Sequence, residues 1–146
     1  MEENKDFLQA IKEAFAVKNV DVRTFSPLTL AYIGDAVYDL IIRSVVVERA
    51  NASANKLHQK TTKYVKASAQ AAMILALQGE LSEEEEAVFK RGRNAKSYTV
   101  AKNASMTDYR NATGFEALVG YLYLTGQNAR ILELVKKGCE SINLPL

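Results

Sequence analysis

Apolar residues recur at three- and four-residue intervals along most of the chain and strand-like alternation is absent, a pattern that predicts an all-helical protein with short connections. The first amphipathic stretch, over 3–17, places Phe7, Leu8, Ile11, Ala14 and Phe15 on an inner face. Ser26 before Pro27 forms an N-cap and first-turn pair, opening a second helix that runs to about Arg49. That helix is apolar nearly all round: Leu30, Ile33, Val37, Ile41 and Val45 make one stripe, with Leu40, Ile42, Val46 and Val47 beside it. Such a segment belongs at the centre of a bundle or at a subunit interface. Ser53 caps a third helix that continues or bends into an alanine-rich stretch ending at Gly79, where Ala67, Ala69, Ala71 and Ala72 permit close approach of a neighbour.

Ser82 with Glu85 reads as a capping box, which assigns the Glu83 to Glu86 run to a dipole-favoured first turn of a helix ending near Arg91 and Gly92. From Arg93 to Asp108 the periodicity fades into a polar, basic loop, and a loop of that length inside a compact domain is commonly functional. A further helix begins around Asp108 to Arg110 and ends before Gly126, and a last one begins near Asn128. No repeat, low-complexity tract or linker interrupts this order, so residues 1–146 are expected to form one domain. That length buries about two thirds of the unfolded surface without help from staples.

Charge changes the picture through its distribution. The net charge of +2 is too small to imply a polyanionic partner by itself. Two stretches, however, are basic and free of acids: Lys56, Lys60, Lys63 and Lys66 with His58, and Lys90, Arg91, Arg93, Lys96 and Lys102. Runs of charge are often only solvated faces. The single cysteine, Cys139, excludes an internal disulfide, reads as an inert buried thiol, and fits a reducing, cytoplasmic setting. The longest apolar runs are broken by Asp, Arg or Gly, and no leader-like segment precedes them, so no membrane association is expected.

Against this background two carboxylates are out of place. Asp35 lies within Leu30-Ala31-Tyr32-Ile33-Gly34-Asp35-Ala36-Val37-Tyr38-Asp39-Leu40, and Glu116 within Thr113-Gly114-Phe115-Glu116-Ala117-Leu118-Val119-Gly120-Tyr121-Leu122. A charge in an apolar run is costly unless something compensates it. A hard divalent ion such as magnesium, held between two carboxylates and substrate phosphates, would do so and could promote phosphodiester hydrolysis. Pairing of Asp35 and Glu116 with arginines, or with backbone groups, stays open on spacing alone. Asp39 precedes Arg43 by one turn, so an exposed ion pair is its simpler account. Gly34 and Gly120, each near a carboxylate, let helices or a phosphate backbone come close. The sole histidine, His58, reads as a surface residue, and one histidine cannot furnish a His-Asp type metal phosphohydrolase.

Ile33-Gly34-Asp35-Ala36-Val37 resembles the helix signature of the ribonuclease III endonuclease domain, and Phe115-Glu116-Ala117-Leu118-Val119-Gly120-Tyr121-Leu122-Tyr123-Leu124 resembles its second acidic motif. Order and separation also match, and the likeness spans roughly Leu28 to Leu124. With Lys90-Arg91-Gly92-Arg93-Asn94-Ala95-Lys96-Ser97 before the second motif, and no double-stranded RNA-binding domain expected after it, the chain looks like the bacterial Mini-ribonuclease III branch. The resemblance implies an all-helical homodimer that cleaves both strands of double-stranded RNA using magnesium, with manganese able to substitute. It implies 5′-phosphates, short 3′ overhangs, and a base-paired stalk of the large-subunit ribosomal RNA precursor as substrate. Asp35 then matches the catalytic aspartate and Glu116 the final metal-binding glutamate, so the two are expected to meet across neighbouring helices. The apolar signature helix would lie against its counterpart in the partner subunit.

The chain departs from the family pattern at two places, with Ala31 where a glutamate is usual and Thr113 where an aspartate is usual. Asp108 cannot replace the loss at Thr113, because along a helix it lies about 12 Å from Glu116 at 1.5 Å per residue. Water or the Thr113 hydroxyl is expected to complete the ion's shell, and metal binding is expected to be weak. Without a separate RNA-binding module, phosphate contacts fall to Arg91, Arg93 and Lys96, with Lys60 and Lys63 secondary, a set suited to A-form RNA read by shape. Two alternatives are a non-catalytic double-stranded RNA-binding dimer of the same fold and a helical interaction protein whose basic clusters are incidental.

Overall fold

A computed structural model of the chain describes residues 6–96 and 105–146. Among these the backbone forms α1 (Phe7–Ala14), α2 (Pro27–Arg49), α3 (Ala54–Val65), α4 (Ala67–Leu77), α5 (Glu83–Asn94), α6 (Met106–Leu124) and α7 (Asn128–Ser141). Short 3-10 turns occupy Val22–Thr24 and Gln78–Glu80, and there is no strand among the described residues.

Helix α6 is the axis of the bundle, packing against α2, α4, α5 and α7. From Asn111 to Leu122 every residue is buried except Glu116. Small residues make that possible. A Cβ on Gly34 would fall 1.7 Å from the Glu116 carbonyl oxygen, and one on Gly120 would fall 2.0 Å from that of Leu30. The α2 and α6 backbones therefore touch, which no side chain at either position would allow. Gly92 and Gly114 act similarly between α5 and α6, where added Cβ atoms would meet Ala117 and Phe89 at 2.7 Å. Around these crossings pack Ile42, Phe89, Met73, Ile74, Leu118 and Leu122, with Tyr38 edge-on to Phe115 at 5.4 Å between ring centroids. The Tyr38 hydroxyl donates to the Tyr64 carbonyl at 2.7 Å, satisfying a polar group that burial would otherwise penalise.

Several sequence expectations hold in detail. Ser26 caps α2, Ser53 caps α3, and Ser82 with Glu85 forms the reciprocal capping box of α5. The glutamate run is structural: Glu85 makes two 2.9 Å bonds to Arg130, Glu86 pairs with Lys90 at 3.1 Å, and Glu84 accepts from the Tyr121 hydroxyl. Cys139 is buried, and that burial pushes its thiol up to about 11.

Others need correction. The first helix is shorter than expected, because Ala16 adopts a left-handed conformation (φ 51) just past its end. Of its expected inner face only Leu8 and Ile11 are half-buried, while Phe7 and Phe15 stand 71% and 76% exposed. The third and fourth helices are separate, broken at Lys66, whose extended backbone ends α3 and starts α4. Helix α5 runs past Gly92 to Asn94, and α6 starts at Met106 because the Ser105 hydroxyl accepts from the Asp108 amide at 3.0 Å. Most of the expected basic loop, residues 97–104 with Lys102, lies outside the described residues. Finally, α2 is not the centre of this chain's bundle: one side packs on α6, while Tyr32 is 82% and Leu40 59% exposed on the other.

Candidate active site at a helix crossing

The glycine contact between α2 and α6 fixes where the two acids go. Asp35 follows Gly34, and Gly34 rests on the carbonyl of Glu116, so the close crossing brings both carboxylates to one place. Asp35 is the charged neighbour that acts on the Glu116 carboxyl. Asp35 is exposed and Glu116 half-buried, so the burial expected of both falls on Glu116 alone. Burial pushes the Glu116 carboxyl up to about 8, the Asp35 charge and the shared hydrogen bond push it the same way, and the Gln70 amide works against them. Burial and a neighbouring like charge both favour the protonated form of Glu116, the usual outcome when carboxylates share a half-dry site.

The surroundings add few further oxygen ligands. Ala31 and Thr113 are both buried, and the Thr113 hydroxyl donates to the Tyr109 carbonyl at 2.9 Å. Asp39 turns to Arg43 at 2.8 Å, as its spacing predicted. Asp108 lies on the same continuous helix as Glu116, about 12 Å away along the axis. Among the described residues no cluster of three or more acidic, histidine or cysteine side chains is assembled to hold a metal. What the crossing offers a cation is two carboxylates and the side chain of Gln70, buried at 2% exposure with one oxygen that has no hydrogen-bond partner. That donor set fits a hard divalent ion that keeps much of its water, since the ion would offset the charge of the neighbouring carboxylates. Gln70 was missed by the sequence reading. Its signal was a lone amide among Ala67, Ala69, Ala71 and Ala72.

The basic residues are divided between two areas. Arg93 is half-buried, stacks over Phe89 at 5.6 Å, and donates to the Asn94 side chain at 3.1 Å. It lines a polar hollow with Gln78, Asn94, Thr107, Arg110 and Asn111, in which Arg110 is a second cation that the sequence reading did not single out. Arg91 is exposed near the end of α5 and Lys96 exposed just beyond it. Lys60 and Lys63 are exposed on α3 and line a different hollow with Arg49, Tyr64 and Leu146. The part of α2 bounding that hollow, Val45 to Arg49, is about 15 to 21 Å from Asp35 along the axis. His58 is exposed, as expected of a surface residue.

An all-helical domain with an acid from each of two crossing helices defines the class, and comparison with known proteins gives its family. The chain belongs to the ribonuclease III domain family, whose model matches residues 28–127. Within that family it is similar to the bacterial Mini-ribonuclease 3 proteins. It is 53% identical to that of Clostridium tetani over 80% of this chain and 78% of the relative. The Enterococcus faecalis protein is also 53% identical, over 79% and 89%, and the Staphylococcus aureus protein 42% identical, over 84% and 92%. A crystal structure of a Fusobacterium nucleatum protein superposes with a TM-score of 0.74 at 27% identity, covering 80% of this chain and 95% of that one. Membership brings the family's endonucleolytic hydrolysis of RNA and its general dependence on a divalent metal. No described helix is long and apolar enough to cross a membrane.

Proposed function

We propose that the chain is a magnesium-dependent endoribonuclease that cleaves both strands of double-stranded RNA, with Asp35 and Glu116 as its catalytic, metal-holding pair. The observation that carries this reading is the glycine crossing that brings the two carboxylates together, where burial and the Asp35 charge both raise the Glu116 carboxyl and a cation would offset that cost. Bound magnesium supplies Lewis acidity for in-line displacement at phosphorus, and manganese can substitute. The chain's own part is to hold two anionic oxygens at one point, Glu116 anchored in the core and Asp35 open to the substrate strand. Ala31 and Thr113 offer no carboxylate, so much of the ion's shell is water and its affinity for RNA-free protein is low.

Arg91, Arg93 and Lys96 hold phosphates, with Arg110 beside Arg93 in the same polar hollow. Lys60 and Lys63 make secondary contacts farther along the duplex. The exposed apolar side of α2, with Tyr32 and Leu40, and the groove formed by Val37, Ile41, Tyr123 and Leu132 support a homodimer built on this helix. Two such sites related by a two-fold axis suit the two strands of a duplex. The family likeness supports a precursor of large-subunit ribosomal RNA as the natural substrate, residues 1–146 as one endonuclease domain, and a cytoplasmic location.

Incubating wild type and Asp35→Asn with a perfectly paired RNA and magnesium tests the assignment. Loss of cleavage with retained binding is the expected result. Cleavage at the wild-type rate by the variant would overturn it, and binding without cleavage by both proteins would favour the non-catalytic RNA-binding dimer.

A further inference from the structure

Gln70 is unusual among the buried groups of this chain. Its Nε2 donates to the Val65 carbonyl at 2.9 Å, across the break between α3 and α4. That bond fixes the amide's orientation, since the flipped form would set two carbonyl-type oxygens against each other. Its Oε1 is then left buried with no partner, alone among the side-chain polar atoms of the described residues. A buried acceptor without a partner is costly, so a donor is expected there in the working protein. The same side chain lies against the Glu116 carboxylate. Two carboxylates with this amide beside one of them, its oxygen unpartnered, leave acceptors in excess, an arrangement suited to a hydrated cation, whose waters donate outward.

We infer that Gln70 is a positioning residue of the metal site: its amide steers the Glu116 carboxylate, and its unpartnered oxygen receives a water of the cation's hydration shell. The inference rests on the assignment of Asp35 and Glu116 as the metal-holding pair. In this role Gln70 supplies part of what Ala31 and Thr113 do not. It also ties the site to the α3–α4 junction, because the Val65 carbonyl holds the amide in place.

The test is manganese binding to RNA-free protein, followed by calorimetry or electron spin resonance, with thermal melting in cation-free buffer as the second readout. Gln70→Met keeps the length of the side chain and removes both polar atoms. It is expected to weaken manganese binding at least about tenfold while the cation-free melting temperature stays near that of wild type, because one hydrogen bond and one orphaned acceptor are lost together. A purely structural Gln70 would lower the melting temperature and leave manganese affinity unchanged, and that result would overturn the inference. Should Gln70→Met fail to fold, Gln70→Glu serves: a third carboxylate is expected to tighten manganese binding, and wild-type affinity would count against the role. Asp35→Asn separates the two levels. If it weakens manganese binding and Gln70→Met does not, Gln70 alone is misassigned; if neither weakens it, the metal site itself is wrong.

Discussion

Both sides of α2 carry large apolar residues, and these have opposite fates. On the inner side Leu30, Gly34, Tyr38 and Ile42 press onto α6 until the backbones touch. On the outer side Tyr32, Leu40 and Val47 face solvent in the single chain. Polarity and size both separate these sides: the exposed side also carries Asp35, Arg43, Ser44 and Glu48, and Gly34 lies where the α6 backbone must pass. The inner side is thus specified by shape as well as by hydrophobicity, while the outer side leaves Tyr32, Leu40 and Val47 on the surface of the single chain. The candidate site depends on the inner side, since Asp35 is placed by the residue before it.

Alanine at the crossing should have the largest effect. Gly34→Ala and Gly120→Ala each drive a methyl into a carbonyl oxygen of the opposite helix, and each is expected to cost about 3 kcal/mol or more in urea denaturation. A wild-type midpoint would mean that the helices do not touch. Substitution on the outer side sharpens the contrast. Tyr32→Arg with Leu40→Arg should abolish dimers in sedimentation experiments while keeping a helical fold, since neither residue is in this chain's core. Persistence of dimers would move the interface elsewhere.

Smaller effects are expected from the basic residues, again through a contrast of two regions. Arg93→Ala and Arg110→Ala should each weaken duplex binding several-fold and reduce the salt slope by about one unit, the signature of a lost phosphate contact. Lys60→Ala should have less effect on both, because its hollow lies toward the far end of α2. Equal losses at the two regions, measured by titration at several salt concentrations, would break that ranking.

Helix positions were legible because they depend on local signals: the Ser26, Ser53 and Ser82 caps work as their spacing predicts. The meeting of Asp35 with Glu116 came from the resemblance, since nothing local to either helix specifies the other. Three features escaped the pattern. Phe7 and Phe15 look like core residues, yet no core lies beneath them in the single chain, and periodicity cannot say what an apolar face will meet. Burial was assigned to both acids, whereas α6 passes through the bundle's middle and α2 along its edge, a tertiary fact. Gln70 and Arg110 acquire meaning only from their neighbours across the fold, Glu116 for one and Arg93 for the other.

The linked proton provides the most direct test of a cation site shared by Asp35 and Glu116. With its carboxyl raised to about 8, Glu116 binds more protons folded than unfolded, so cation-free protein loses stability as pH rises from the ordinary glutamate range, near 4.5, to about 8. A cation must displace that proton, so affinity should rise about tenfold per pH unit up to about pH 8 and level off above it. The decisive measurement is manganese titration by calorimetry at pH 7 in buffers of different ionisation enthalpy. Release of about one proton per ion is expected in wild type and none in Glu116→Gln, with weaker binding in the variant. Binding without proton release, or equal affinity in the two proteins, would contradict it.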